Sequence, residues 1–287
     1  MTKVSDLLAA GRTFSFEFFP PKTPEEHARL SQALLDLQPL RPSFVSVTYR
    51  GGRSSRPRTH DLVVGMLRTT TLVPMAHLIC AAHSRLELAE ILVELRKAGI
   101  ENLMALGGDP PTDHDAQVGE LRYADQLVSL ARAIGGFSIG VAAHPSGHPD
   151  SPSMEADRDR LAAKLRMADF AITQLLYRPE DWERTVEDLT ARGVDKPVIP
   201  GIMPLTALSA IHRRTQMGAA VPAEIAARLE AAGDPGSVRR RGIEMATELS
   251  QALLARGAPG LHFYTLNRSG AAREIYASLG LPTAAAS

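Results

Sequence analysis

Seven polar side chains stand where an apolar run gives way to a loop: Glu17, Thr48, His77, Asp109, His144, Gln174 and Arg268. Glu17 carries the sharpest chemistry. Carboxylates are seldom buried unless paired or functional. Flanked by four phenylalanines in Phe14-Ser-Phe-Glu-Phe-Phe19, it should lose solvation and hold its proton more tightly, as a general acid near neutral pH requires. The competing reading is an outward-facing glutamate in a surface ion pair. Asp109 follows Gly107-Gly108 and precedes Pro110-Pro111, which holds it on a rigid turn where a ligand can approach the backbone. His144 and His148 have i, i+4 spacing, but Pro145 and Gly147 break any helix between them and no H-E-x-x-H pattern exists, so no metal is expected. His77, inside an apolar run, reads equally well as a core histidine. Arg239-Arg240-Arg241 reads as a solvated helix face. There is no P-loop and no G-x-S-x-G elbow, which argues against nucleotide hydrolase and esterase chemistry.

Eight β-runs position these residues: 13–19, 43–49, 73–79, 102–106, 138–143, 170–176, 197–202 and 260–265. Alternation puts Ser15, Glu17 and Phe19 on one face of the first and Phe14, Phe16 and Phe18 on the other. Between the runs lie helical stretches. A short one covers 4–10. The next opens with Thr23, Pro24 and a capping box closed by Glu26, and another starts near Thr59. A second capping box, Ser84 to Glu87, opens a helix that ends at Gly99. Others cover about 120–134, 154–166, from 179, 222–232, 235–256 and 269–279. Strands joined by helical crossovers are parallel, and eight such units predict an α/β fold, a single-domain (β/α)8 TIM barrel over 1–280 with a flexible tail at 281–287. An open doubly wound sheet is the alternative, weakened by the absence of G-x-G-x-x-G after any predicted strand. In a barrel all seven polar residues share the mouth at the C-terminal strand ends.

Composition agrees. The 287 residues are 44% hydrophobic and 22% charged, and 32 basic residues balance 32 acidic ones, which argues against a global attraction to nucleic acid or an anionic membrane. The single cysteine, Cys80, excludes an intrachain disulfide. No run approaches membrane-span length and no secretory signal is visible, so a cytoplasmic protein is expected.

The stretches Ser15-Phe-Glu-Phe-Phe-Pro-Pro21, Val45-Ser-Val-Thr-Tyr49, Arg58-Thr-His60, Gly108-Asp-Pro-Pro111, Ala171-Ile-Thr-Gln174, Ile199-Pro-Gly-Ile202 and His262-Phe-Tyr-Thr-Leu-Asn-Arg268 together resemble the methylenetetrahydrofolate reductase family, in the same order and from about residue 12 to 281. The length is similar to the bacterial type without a regulatory domain. The resemblance implies a TIM barrel with noncovalent FAD, reduced by NADH or NADPH, that converts 5,10-methylenetetrahydrofolate to 5-methyltetrahydrofolate in a homo-oligomer serving one-carbon metabolism and methionine biosynthesis. It makes Glu17 the acid that opens the imidazolidine ring, and Asp109 a catalytic contact to both pterin and flavin. Gln174 and Arg268 become folate contacts, with Gln174 and Thr48 also meeting the nicotinamide nucleotide. The flavin positions are Tyr49, Gly51, His77, Gly108, Asp109, Tyr123, Ala124, His144, His148, Asp157, Arg160 and Lys164.

The departures cluster. Gly107 replaces the family's arginine, His144 an aromatic, Arg160 an asparagine and Ala163 a basic residue found in some members. Leu208 stands at the usual nicotinamide-stacking phenylalanine. The acid, the aspartate and the folate contacts are kept. Three readings follow: a flavoenzyme in which Arg158 or Arg160 replaces the lost cation, a flavin-free reductase passing hydride directly from NAD(P)H, or a non-catalytic folate- or flavin-binding barrel.

Overall fold

The first strand, β1 (Thr13–Phe18), sorts its side chains by alternation. Phe16 and Phe18 are buried in the layer between strands and helices, while Ser15 and Glu17 point into the barrel. Seven more strands repeat that arrangement: β2 (Phe44–Val47), β3 (Pro74–Ile79), β4 (Asn102–Leu106), β5 (Ser138–Ala143), β6 (Phe170–Leu175), β7 (Val198–Ile202) and β8 (Gly260–Tyr264). All pair in parallel, and β8 returns to β1 to close an eight-stranded barrel, a single (β/α)8 domain. The computed structural model describes residues 2–49, 56–81, 83–108, 119–211 and 220–281.

The surrounding helices are α1 (Val4–Ala10), α2 (Pro24–Leu37), α3 (Arg56–Thr69), α4 (Arg85–Lys97), α5 (Ala124–Ile134), α6 (Met154–Met167), α7 (Pro179–Ala191), α8 (Ala223–Glu230), α9 (Pro235–Ala255) and α10 (Gly270–Ser278). Their apolar faces pack on the outward strand residues. A smaller cluster, Phe44, Met75, Met104, Phe170, Ile172 and Ile199, fills the barrel's lower interior, with Val4 of α1 as its floor. Helix α1 has no side-chain cap of its own. The barrel supplies one instead: Asn102 Oδ1 accepts from Val4 N at 2.8 Å, and Ser138 Oγ from Ser5 N at 3.0 Å.

Local signals set most boundaries. Ser84 and Glu87 form the complete capping box. At Thr23 only half of it forms, because the Glu26 carboxylate accepts from Lys22 N rather than from the cap residue. Helix α5 starts at Ala124, four residues later than expected. Residues 120–123 serve as its entry, with Glu120 N bonded to His83 O. Beside α9, Leu205, Leu229 and Val238 form a satellite core. There the loop after β7 runs directly over Gly242, where a Cβ would lie 2.0 Å from Leu205 O. The expected tail at 281–287 lies almost wholly outside the described residues. Among those described, no helix is long and apolar enough to cross a membrane.

Candidate active site

Strand pairing brings the upper interior together. Glu17 is in register with Ser46 on β2 and Tyr264 on β8, and Ser15 with His262. The Glu17 carboxylate is 17% exposed and lies between two imidazoles, 3.5 Å from His77 Nε2 and 3.7 Å from His262 Nε2. Its surroundings are therefore polar. The flanking phenylalanines do not desolvate it: Phe14 and Phe16 pack on Tyr276, and Phe16 on Phe263, on the outer face of the barrel.

Each neighbour of the carboxylate is held by a specific contact. His262 is buried, stacks on Phe44, and has Ser15 Oγ 2.8 Å from Nδ1 and Ser46 Oγ 3.4 Å from Nε2. Burial drives the His77 pKa down to about 4 against the opposing pull of the Glu17 charge, so this imidazole is neutral at neutral pH. Burial likewise raises the Tyr264 hydroxyl well above its ordinary value, with the Glu17 charge adding to it; the proton stays on and is donated to Thr173 O at 2.7 Å. Gly201 makes room for that ring, since a Cβ there would sit 2.5 Å from Tyr264 and 2.4 Å from Thr173 O. The wall therefore brings one carboxylate, a neutral imidazole, a second buried imidazole and a protonated phenol together at the mouth.

On the rim, Gln174 and Arg268 are both exposed. The hydroxyl of Thr48 is buried without a partner among the described residues, and His77 Nε2 is in the same condition. Buried polar atoms in that state await a ligand group or water. Asp109 and Gly51, both expected in the site, lie outside the described residues. Gly108 has φ +85° and no room for a Cβ, which would meet Ile79 at 2.8 Å. At Gly107 the nearest atom to a Cβ is Arg122 O at 3.8 Å, so packing does not forbid the family's arginine.

The β4–β6 side is organised differently. Arg158 is 2% exposed and spends its guanidinium on the protein itself: His144 O at 2.9 Å, Pro145 O at 2.7 Å, Asp157 at 2.8 Å, Asp188 at 3.2 Å and Thr185 at 3.3 Å. Asp157 in turn accepts from His148 N and Ser151. Together they clamp the 144–151 loop, where the His144 and His148 rings meet edge to face at 4.7 Å. Burial, the neighbouring His148 and the Lys164 charge push the His144 pKa down to about 4. Lys164 is half-buried, donates to Ala142 O at 3.2 Å, and has its own pKa lowered by burial. Arg160 and Ala163 are exposed, and Tyr123, just before α5, is 61% exposed while Ala124 opens that helix. Tyr49 is bonded to His83 Nε2 at 2.7 Å. Asp125 Oδ1 is buried without a partner.

A flavin dinucleotide brings two phosphates. Among the described residues of this side, Arg158 is consumed by the protein, Lys164 donates to Ala142 O with the Asp125 charge near it, Gly107 carries no cation, and Arg160 is an exposed cation bonded to Ser151 Oγ at 3.5 Å. That set offers the diphosphate fewer free cations than the family pattern, with Arg160 the exposed one. Separately, a cavity of about 250 Å³ lies between α7, α8 and α9, lined mainly by apolar side chains with the Arg228–Glu248 pair on its wall. Glu17 is not among its lining residues.

Sequence reasoning missed His262 and Tyr264 as partners of Glu17, although both lie in a quoted motif; their parity on β8 was the available signal. It also missed the inward turn of Arg158, for which no local signal exists.

Comparison with known proteins follows the same outline. The family description of methylenetetrahydrofolate reductase matches residues 3–280. The chain is 34% identical over 270 residues to a 5,10-methylenetetrahydrofolate reductase of Pectobacterium carotovorum subsp. carotovorum, covering 93% of this chain and 90% of that protein. The Escherichia coli K12 protein of the same name is 34% identical over 271 residues, with the same coverage. A rice protein named probable methylenetetrahydrofolate reductase (NADH) is 35% identical over 297 residues, but this chain spans only 50% of its length. Among solved structures, a Clostridium thermocellum protein described as binding two copies of 5-methyl-5,6,7,8-tetrahydrofolic acid superposes with TM-score 0.70 at 12% identity, covering 97% of this chain and 98% of that one. At that identity the likeness concerns the fold.

Proposed function

The chain belongs to the methylenetetrahydrofolate reductase family, an oxidoreductase that reduces methylenetetrahydrofolate with a pyridine nucleotide as donor, and we propose that Glu17 is its general acid. The observation that carries this reading is the placement of Glu17 at the barrel mouth between a neutral His77 and a buried His262. Its proton passes to N10 of 5,10-methylenetetrahydrofolate, the bond from N10 to the bridging methylene carbon breaks, and a 5-iminium cation forms. Hydride addition to that carbon gives 5-methyltetrahydrofolate. The carboxylate left on Glu17 faces the cation and stabilises it. Gln174 and Arg268 orient the folate from the rim, Arg268 as a charged donor to a carboxylate. Thr48, whose hydroxyl is buried and unpartnered, offers a hydrogen bond to the nicotinamide nucleotide.

FAD is the cofactor that the family resemblance implies, and the described β4–β6 residues turn one arginine, Arg158, inward and lack the family's arginine at Gly107, leaving Arg160 exposed. That observation favours a second route for the same reaction, in which NADH or NADPH delivers hydride to the folate iminium directly. Purified protein that stays yellow through gel filtration would support the flavin route and remove the direct one. Colourless protein that oxidises NADH only when methylenetetrahydrofolate is present would do the reverse. Folate binding with no turnover under either condition would leave a binding barrel and overturn the reductase reading.

A further inference from the structure

Immediately after β8, Leu266 and Asn267 occupy the left-handed region, with φ of 51° and 55°. Two such residues in succession, one of them a leucine, cost conformational energy that the surroundings must offset. The turn buries its polar member and exposes its apolar one: Asn267 is 1% exposed and Leu266 47%. What holds it is a strap to the end of β1. Asn267 Oδ1 accepts from Phe19 N at 3.0 Å, and Asn267 Nδ2 donates to Phe19 O at 2.9 Å. Thr265 Oγ1 donates to Glu17 O at 2.6 Å and accepts from Asn267 N at 3.2 Å. Arg268 N completes the turn by donating to Thr265 O at 3.0 Å.

Barrel closure does not require this strap. The β1–β8 ladder already runs from Thr13↔Gly260 to Glu17↔Tyr264, and the strap extends the connection two residues past the ladder's end. A left-handed turn alone would be served by glycine, which has neither amide group. The side chain that is present grips one backbone unit with both its donor and its acceptor. The residues on either side of it, Leu266 and Arg268, both stand exposed at the mouth.

We propose that Asn267 is a positioning residue: it locks the strained 265–268 turn to the strand end bearing Glu17, so that Leu266 and Arg268 meet the folate at a fixed distance from the proton donor. The inference rests on the reductase reading above. In the full-length protein, Asn267→Gly keeps positive φ accessible while removing both tethers, and Asn267→Asp keeps the acceptor but loses the donor. The expected result for Asn267→Gly is a KM for methylenetetrahydrofolate raised at least tenfold and a lower kcat. The KM for NADH should stay within twofold, and Asn267→Asp should fall between it and wild type. A wild-type folate KM and kcat in Asn267→Gly would overturn the proposal, as would equal weakening toward both substrates, the mark of a general structural role. Should the glycine variant not fold, the same split or its absence in Asn267→Asp decides. Wild-type protein assayed alongside separates the two levels. No methylenetetrahydrofolate-dependent turnover there removes the reductase reading, whereas active wild type with an unchanged variant removes the strap.

Discussion

His77 and His144 have the same depressed pKa, about 4, with burial the first cause of each, but the charges around them differ. Beside β1 and β8, burial lowers His77 while the Glu17 charge resists. Beside β5 and α6, burial lowers His144, with help from His148 and the Lys164 and Arg158 charges, and the Asp157 charge resists. The first region places a carboxylate among a neutral imidazole, a second buried imidazole and a buried phenol, none of them a fixed cation. The second locks its buried cation onto its own backbone and carboxylates, a setting that holds a loop in place. Charge available to a ligand differs between two walls of one barrel whose composition looks equally polar.

The largest test of that contrast is Glu17→Gln, which keeps the shape and removes the proton. Methylenetetrahydrofolate reduction should fall by about 10²–10⁴-fold, the usual worth of a general acid, with the KM for NADH nearly unchanged. Equal loss of nucleotide and folate binding would show that the carboxylate is structural. Arg158→Ala probes the other wall. It leaves Asp157 buried without its cation and should cost about 3–5 kcal/mol in denaturant unfolding. A phosphate-binding arginine would instead leave stability intact and weaken nucleotide binding.

Acidification sharpens the comparison further. The folded pKa of His77 lies below its ordinary value of 6.5, so the unfolded chain binds the proton first as pH falls. Its contribution to stability is complete above about pH 6.5 and is lost on the way down to about pH 4, roughly 2 kcal/mol between pH 7 and pH 5. Urea titrations of wild type and His77→Gln at both pH values isolate that share; parallel losses in the two proteins would refute it. The smallest expected effect on stability is that of Gly107→Arg, whose Cβ meets Arg122 O at an ordinary 3.8 Å among the described residues, and which should stay within about 0.5 kcal/mol of wild type. It returns the family's cation to the β4 loop, so FAD retained on gel filtration should rise above the wild-type level. No rise would show that the missing arginine is not what limits flavin binding.

Much of this was legible in the chain alone. Eight apolar runs with helical crossovers specify a closed parallel barrel because parallel strands need such connections and the crossovers have one hand. Glu17 stood out because a carboxylate inside an aromatic strand demands explanation. The desolvation expected from its flanking phenylalanines does not come from them, because alternation sends Phe16 and Phe18 to the helix layer and leaves Glu17 to the interior beside two imidazoles.

Local patterns, periodicity and capping chemistry are properties of neighbours in sequence, and they determined the element order, the barrel and which carboxylate stands as the candidate acid. Which groups touch that acid was decided only in three dimensions. His262 lies 245 residues from Glu17 and meets it because β8 pairs with β1. Arg158 looked like a spare cation until the fold brought two loop carbonyls, Asp188 and Thr185 around it. Hydrogen-bond partners and desolvation depend on what closure of the barrel brings within about 3 Å, and residue spacing along a strand carries no record of that.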